Sequence, residues 1–367
     1  MPPKKGPPDF LLFITVLMLL AVGVIMVLSA SEYATLVNYR DSFYFFKRQL
    51  AWALLGLGAM WFTMRVDYWK WRQWAGWLII GSFVLLILVL IPGIGVEAYG
   101  ARRWLGFGSF TVQPSELAKF CVIIFCAFGL ARQRHYIANF RRGVLPFLAV
   151  GGLASLLIVV QPDLGTAITM AGTVFIMLFA AGASLRALGG LAGLGVAGIA
   201  LAIYLEPYRM RRLTSFLDPW KDAQDTGFQI IQSLYALGSG GLFGAGLGQG
   251  KQKFLYLPAQ HTDFIFAVIG EELGFVGCSL VIILFALFVW RGLRVAVAAP
   301  DAFSSLLATG VTAGIALQAI INIGVVTGSM PVTGITLPFI SFGGTSLLFT
   351  MAGVGVLLNI SKYAQAR

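Results

Sequence analysis

The stretch LPAQHTDFIFAVIGEELG, Leu257 to Gly274, sets three carboxylates against an apolar run. Asp263 ends a proline-broken polar approach, and the residues after it are apolar enough to enter a membrane. Glu271 and Glu272 follow roughly two helical turns later, about 12 Å deeper at 1.5 Å per residue. What an acid at the mouth of a membrane helix is for must be read from the rest of the chain. Ionisable groups inside a span cost roughly 2.5–3.5 kcal/mol or more each and are functional candidates by default. Two other segments repeat the device: TVQPSELAK places Pro114, Glu116 and Lys119 at a helix start, and VVQPDLGT does the same with Pro162 and Asp163. Proline suits the first helical turn, where its missing N–H costs nothing, and acids there are stabilised by the helix dipole and should stay ionised at neutral pH.

Any one of these acids reads equally as a helix cap at an interface. Three of them on one side, with Arg102 and Arg103 (GARRWLGFG) on an adjoining loop, make a stronger case for a site. Glu116 and Lys119, three apart, can pair on one helix face, which is a structural reading. The segment PVTGITLPFISFGGTSLL breaks regular backbone at membrane depth through Pro338, Gly343 and Gly344 and carries the hydroxyls of Ser341, Thr345 and Ser346. Such a broken helix is tolerated only where protein or water satisfies its backbone, as beside a polar cavity. Asn322 could line that cavity or bond a neighbouring helix. His261 could orient Asp263 or sit solvated at the interface. Glu271 and Glu272 point about 80° and 180° away from Asp263 on a helix of 100° per residue, so they read as members of the bundle paired with other spans. The glycines of GSGGLFGAGLGQGKQ match neither a dinucleotide nor a P-loop fingerprint and are expected to permit close approach of loop to bundle. Gly189, Gly190, Gly193 and Gly195 form a small-residue face suited to tight helix packing. The cysteines have no metal-type spacing and read as buried small hydrophobes.

The elements that must position these residues are membrane helices. Of 367 residues, 58% are hydrophobic and 11% charged, and a soluble domain carries about a quarter charged residues. The charge of +11 falls between apolar runs, so membrane topology and anionic lipid account for it and nucleic acid does not. The predicted fold is all-α, a polytopic protein of ten transmembrane helices. They lie at Phe10–Ser29 and about 48–65, 75–92, 114–131, 144–160, 164–182, 187–205, 263–290, 303–328 and 345–360. Residues 1–9 and 362–367 are tails around a single membrane domain, 10–361. Lys4, Lys5, Arg65, Lys70, Arg132, Arg142, Arg291, Lys362 and Arg367 crowd one side, against Arg40, Lys47, Arg48, Arg102 and Arg103 on the other. Both termini are therefore expected in the cytoplasm. The large loop 206–262, between helices 7 and 8, faces outside, with Phe228–Leu237 helical along the membrane surface.

Taken together, GARRWL, QPSELAK, QPDLGT, the GSGGL to HTDFIFAVIGEELG block and NIGVVTGSMPVTGITLPFISFGGTSLL resemble the SEDS family over nearly the whole chain, with a lean in wording towards its FtsW/SpoVE branch over RodA. The resemblance implies a peptidoglycan glycosyltransferase in the bacterial cytoplasmic membrane that polymerises lipid II for cell division or cell shape. It makes Asp263 the essential acid and ties Glu116, Lys119 and Asp163 to activity or integrity. It also implies a class B penicillin-binding protein, a transpeptidase, as partner, alongside other divisome or elongasome proteins. Phe342, where Tyr is commoner, is a mild departure.

In the mechanism this suggests, Asp263 deprotonates the acceptor 4-hydroxyl. The departing pyrophosphate is stabilised by Arg102 and Arg103, by helix N-termini, or by a divalent cation such as Mg or Mn. Ser341, Gly343 and Gly344 are expected at the substrate. Two other readings compete. One is a flippase or transporter of the lipid-linked precursor, which would also use broken helices and buried acids. The other is a membrane scaffold for cell-wall synthases.

Overall fold

The computed structural model of the chain describes residues 5–39, 41–98, 101–107, 110–252 and 257–364. Lys4, Arg40 and Arg367, which enter the orientation argument, and the outer ends of both tails lie outside the described residues.

Each predicted apolar run is a helix: α1 (Phe10–Tyr39), α2 (Tyr44–Arg65), α3 (Tyr68–Leu88), α4 (Pro114–Arg132), α5 (Leu145–Val160), α6 (Leu164–Ala180) and α7 (Leu185–Tyr204). After the long connection, which contains α8 (Pro207–Leu217) and α9 (Phe228–Ser239), come α10 (Ile265–Val297), α11 (Ala302–Val326) and α12 (Gly344–Ala364). Among the described residues eight helices are long and apolar enough to cross a membrane. The two predicted spans outside that set are α2, whose first turns carry Lys47, Arg48 and Gln49, and α6, with 17 residues.

The local starts follow from the sequence. Pro114 occupies the first turn of α4. The Asp163 side chain accepts from Thr166 N at 3.0 Å to cap α6, and Asp301 and Ser304 form a reciprocal capping box on α11. The two caps satisfy backbone N–H groups that a helix start leaves without partners, and Pro114 has no N–H to satisfy.

The all-α expectation needs one correction. Between α3 and α4 the chain forms an antiparallel sheet, β1 (Gly95–Ala98), β2 (Ala101–Phe107) and β3 (Phe110–Val112), in the order β1-β2-β3. Strands this short give too little alternation to stand out from a loop in sequence.

α11 packs against α4, α6 and α10, and α2 packs along α12. The α2–α12 approach depends on Gly355, where a Cβ would lie 2.0 Å from Thr63 Oγ1 and 2.3 Å from Met60 O. The degree of burial separates these helices from α7: 72% of the apolar window is buried in α12 and 6% in α7. A Cβ added at Gly189, Gly190, Gly193 or Gly195 would meet nothing within 4 Å. The expected close packing of that glycine face is therefore not made among the described residues.

α10 is interrupted at Gly274 (φ 66, ψ −162). Freed from the helix ladder, Phe275 N and Val276 N donate to Gly241 O (2.9 Å) and Leu242 O (3.1 Å), while Ala245 N and Gly246 N donate to Glu271 O (2.9 Å) and Glu272 O (3.0 Å). The glycine-rich loop thus supplies the hydrogen bonds that the break removes. It does so at a separation only glycine permits, since a Cβ at Gly244 would lie 2.2 Å from Glu272 O.

Candidate active site

Asp263 lies in the turn ahead of α10, before the capping position Phe264, which has no side-chain cap. It is therefore not a cap of that helix, and the interfacial-cap reading fails for this acid.

Three consecutive carbonyls of the turn are held by groups remote in sequence. Phe342 N donates to His261 O at 2.9 Å. Ser341 Oγ donates to Thr262 O at 2.5 Å. Asn322 Nδ2 donates both to Asp263 O and to Ile335 O, each at 2.8 Å. The partners come from α11 and from residues 331–343, an irregular, largely buried segment joining α11 to α12. The predicted broken tenth helix is this segment, and α12 begins only at Gly344.

Because all three anchors bind main chain, they fix the turn while leaving the Asp263 carboxylate free to react. Gly334 (φ 76) stands opposite the carboxylate, where a Cβ would lie 3.7 Å from Oδ2. Its neighbours extend the junction: Val332 O accepts from Arg212 Nη1 at 3.0 Å, and Thr333 and Ile335 lie against Gly165 at the start of α6.

Two acids and two arginines gather here. The Asp163 carboxylate takes Thr166 N on one oxygen and Gln113 Nε2 (3.2 Å) on the other. Arg103 Nε donates to Gln161 O at 3.0 Å, and its Nη2 donates to Pro162 O, which holds the guanidinium beside Asp163. Arg212, on α8, lies over the Tyr208 ring at 4.4 Å from the centroid.

Asp263 is partly exposed. Burial of its carboxyl pushes it up to about 6; Arg212 pulls it down, Asp163 pushes it up and Arg103 pulls it down. The helix dipole was expected to keep this acid well ionised, but desolvation dominates. The result is a group mostly ionised at pH 7 and still near enough to exchange a proton.

Arg102 points elsewhere. As neighbours on β2 the two arginines face opposite sides of the strand, and Arg102 pairs with the exposed Glu97 at 3.1 Å. Ser341, Gly343 and Gly344, expected at the substrate, take part in building the junction. Ser341 Oγ also accepts from Leu337 N at 2.8 Å, Gly343 lies against Thr336, and Gly344 packs on Trp52.

Glu116 and Lys119 form the expected pair at 3.0 Å, and Lys119 Nζ also donates to Gln318 Oε1 at 2.7 Å. Gln318 Nε2 in turn donates to Thr336 O at 3.0 Å. Glu116, Lys119 and Gln318, with Thr173 and Thr350, form the polar lining of an otherwise apolar cavity between α4, α6, α11 and α12. His261 does not orient Asp263: it stacks on Phe45 with centroids 4.4 Å apart, and burial pushes it down to about 4, so it is neutral.

Both glutamates take structural partners: Glu272 meets a hydroxyl of another span as expected, and Glu271 meets the backbone of the long loop instead. Glu271 accepts from Lys251 N (2.6 Å) and Gln252 N (3.2 Å). Glu272 accepts from Ser29 Oγ (2.7 and 2.6 Å) and Gly248 N (3.1 Å). Among the described residues no three His, Cys, Asp or Glu side chains gather as metal ligands.

Arg212 and Gln318 were not singled out in the sequence. For Arg212 the signal was the Arg209/Arg212 spacing on a proline-initiated helix, where residues three apart share a face. Arg209 on that face donates to Ala202 O (2.9 Å) and Val159 O (3.1 Å), so the face lies against the bundle.

The sequence profile of the FtsW/RodA/SpoVE family, described as Cell cycle protein, matches residues 9–366. The chain belongs to this family. It is 51% identical over 362 residues to Stage V sporulation protein E of Bacillus subtilis, covering 99% of each chain. It is 45% identical over 353 residues to a probable peptidoglycan glycosyltransferase FtsW of a Geobacter species, covering 96% of each. Among solved structures, a chain of a peptidoglycan synthase complex that coordinates polymerization and crosslinking aligns with TM-score 0.78 and 31% identity, over 97% of this chain and 98% of that one. The rod shape determining protein RodA of Thermus thermophilus aligns with TM-score 0.69 and 29% identity, over 96% of each. Family membership makes the chain a multi-pass membrane protein and accounts for the motif order from QPSELAK to SFGG.

Proposed function

We propose that this family member polymerises lipid II into glycan strands at the outer face of the bacterial cytoplasmic membrane. The observation that carries the reading is the Asp263 carboxylate itself. It is fixed through its main chain, partly open to solvent, poised near 6 and flanked by arginine.

In the reaction, Asp263 takes the proton of the 4-hydroxyl on the N-acetylglucosamine of the acceptor lipid II. That oxygen forms a bond to the anomeric carbon of the donor glycan as the bond to undecaprenyl pyrophosphate breaks. Direct displacement inverts the anomeric centre. The leaving group departs with two phosphates' charge, which Arg103 is placed to receive. The Glu116–Lys119–Gln318 chain braces the floor of the site.

The ten long helices act as ten spans with both termini in the cytoplasm, which puts α8, α9, the sheet and Asp263 outside. A class B transpeptidase is the partner that cross-links the product. The likeness to a peptidoglycan synthase complex that coordinates polymerization and crosslinking supports the partner, and the uneven distribution of Lys and Arg supports the orientation. Transport of the precursor is the weaker reading, because Glu271 and Glu272, which would serve as midplane carriers of charge, already hold the loop and Ser29.

Purified protein supplied with lipid II, with and without a cognate transpeptidase, tests the reading. Lengthening glycan, with inversion at each new linkage, is expected. Lipid II crossing a vesicle membrane without any polymer would contradict it.

A further inference from the structure

The cation geometry around Asp263 carries the reading one step further. Arg212 reaches the site from α8, far in sequence from the arginine pair of β2. One N–H donates to Val332 O, two residues before the Gly334 that faces the Asp263 carboxylate, and the guanidinium lies over Tyr208. A guanidinium carries five N–H donors, and among the described residues Arg212 forms no ion pair. Burial lowers its proton affinity first, while Tyr208 and Asp263 raise it and Arg103 lowers it. The two arginines therefore sense each other as well as the acid. A half-buried arginine held by a carbonyl and a ring, beside a second arginine held by two carbonyls, keeps N–H donors that no direct ion pair occupies, so both guanidinia can still receive an anion although Asp263 and Asp163 lie near. Arg102, already paired with Glu97, does not share it.

We infer that Arg212 and Arg103 together form the clamp for the pyrophosphate of the lipid-linked donor, with Arg212 as the second cation of the site. The inference rests on the glycosyltransferase reading above. Two forks carried by separate elements, α8 and β2, suit a diphosphate, whose oxygens can accept bidentate bonds from both. A monophosphate carries fewer oxygens and less charge to share between two forks. Arg212 also sits closest in charge to Asp263, so its loss should change the base as well as the leaving group.

The test uses the full-length protein in detergent or vesicles and compares wild type with Arg212→Gln, Arg212→Lys, Arg103→Gln and Asp263→Asn. Lys47→Gln, which removes an exposed cation paired with Asp41, serves as a surface control. The readouts are kcat and KM for lipid II polymerisation, inhibition by undecaprenyl pyrophosphate and by undecaprenyl monophosphate, and the pH profile.

Arg212→Gln is expected to lower kcat/KM by about 100-fold and to weaken the pyrophosphate inhibitor about tenfold, with about threefold or less for the monophosphate. Arg212→Lys should restore part of the turnover without restoring the preference for the diphosphate, because an ammonium is a point charge and not a fork. The acid limb of the profile should move to higher pH in Arg212→Gln, an effect a merely structural residue would not produce.

Equal weakening of both inhibitors, or an Arg212→Gln protein with wild-type kcat/KM, would overturn the clamp. If Arg212→Gln melts below wild type, Arg212→Lys decides, and a wild-type preference for the diphosphate in that variant would overturn it equally. Failure of the underlying reading looks different: wild type itself would make no polymer, or Asp263→Asn would make as much.

Discussion

The side-chain amide of Asn322, in the middle of the protein on α11, donates at 2.8 Å to the main-chain carbonyl of Asp263 and at the same distance to that of Ile335. One amide thus ties the turn carrying the acid to the segment that faces it. This explains how a residue outside any helix is held in place: its backbone is fixed while its carboxylate stays available. Asn322→Leu leaves two buried carbonyls without donors, at about 1–3 kcal/mol each. It should therefore lower the melting temperature and also kcat, by roughly tenfold to a hundredfold, since small misplacement of a reacting group has costs of that order. A kinetic comparison in which KM moved and kcat did not would show that Asn322 serves substrate binding and not the position of the acid.

The pH dependence follows from the raised carboxyl of Asp263. The base must be deprotonated, and its half-ionisation lies at about 6. Turnover at limiting lipid II should be level above that value and fall by about tenfold per unit below it. An unchanged rate down to the ordinary carboxylate range would mean that burial does not govern this acid.

Glu271 and Glu272 give a prediction about the fold and not the chemistry. They accept from Lys251 N, Gln252 N and Gly248 N, so replacing either by Gln turns an acceptor towards donors and costs about 1–3 kcal/mol. Hydrogen exchange at residues 244–252 should quicken in both variants while that of α11 stays slow. Equal protection in mutant and wild type would mean the loop is held by its backbone contacts to Glu271 O and Glu272 O alone.

The helices could be read from the sequence because membrane spans announce themselves by length and apolarity, and because Pro114 and Asp163 mark starts that composition cannot hide. The sheet could not, since β1 and β3 are only a few residues long. The site was half legible. Asp263 and Asp163 stood out by motif, and the Glu116–Lys119 pair followed from spacing. Arg212 did not stand out, because its role depends on α8 folding back over residues 331–335, a contact between segments more than a hundred residues apart. Ser341 and Gly344 have a structural use that their polarity and flexibility did not reveal: the hydroxyl holds Thr262 and the missing side chain admits Trp52. The glycine face of α7 shows that small residues license close packing without compelling it among the described residues.

The most direct test of the account is polymerisation of lipid II by purified Asp263→Asn beside wild type, with melting temperature measured on the same samples. An ionised carboxylate with a raised proton affinity weakens the fold as pH rises from the ordinary carboxylate range through about 6. The neutral amide should therefore melt at or above the wild-type temperature at pH 7. The account expects a folded protein that still binds lipid II and forms no glycan. Glycan made at the wild-type rate by the folded variant would contradict it.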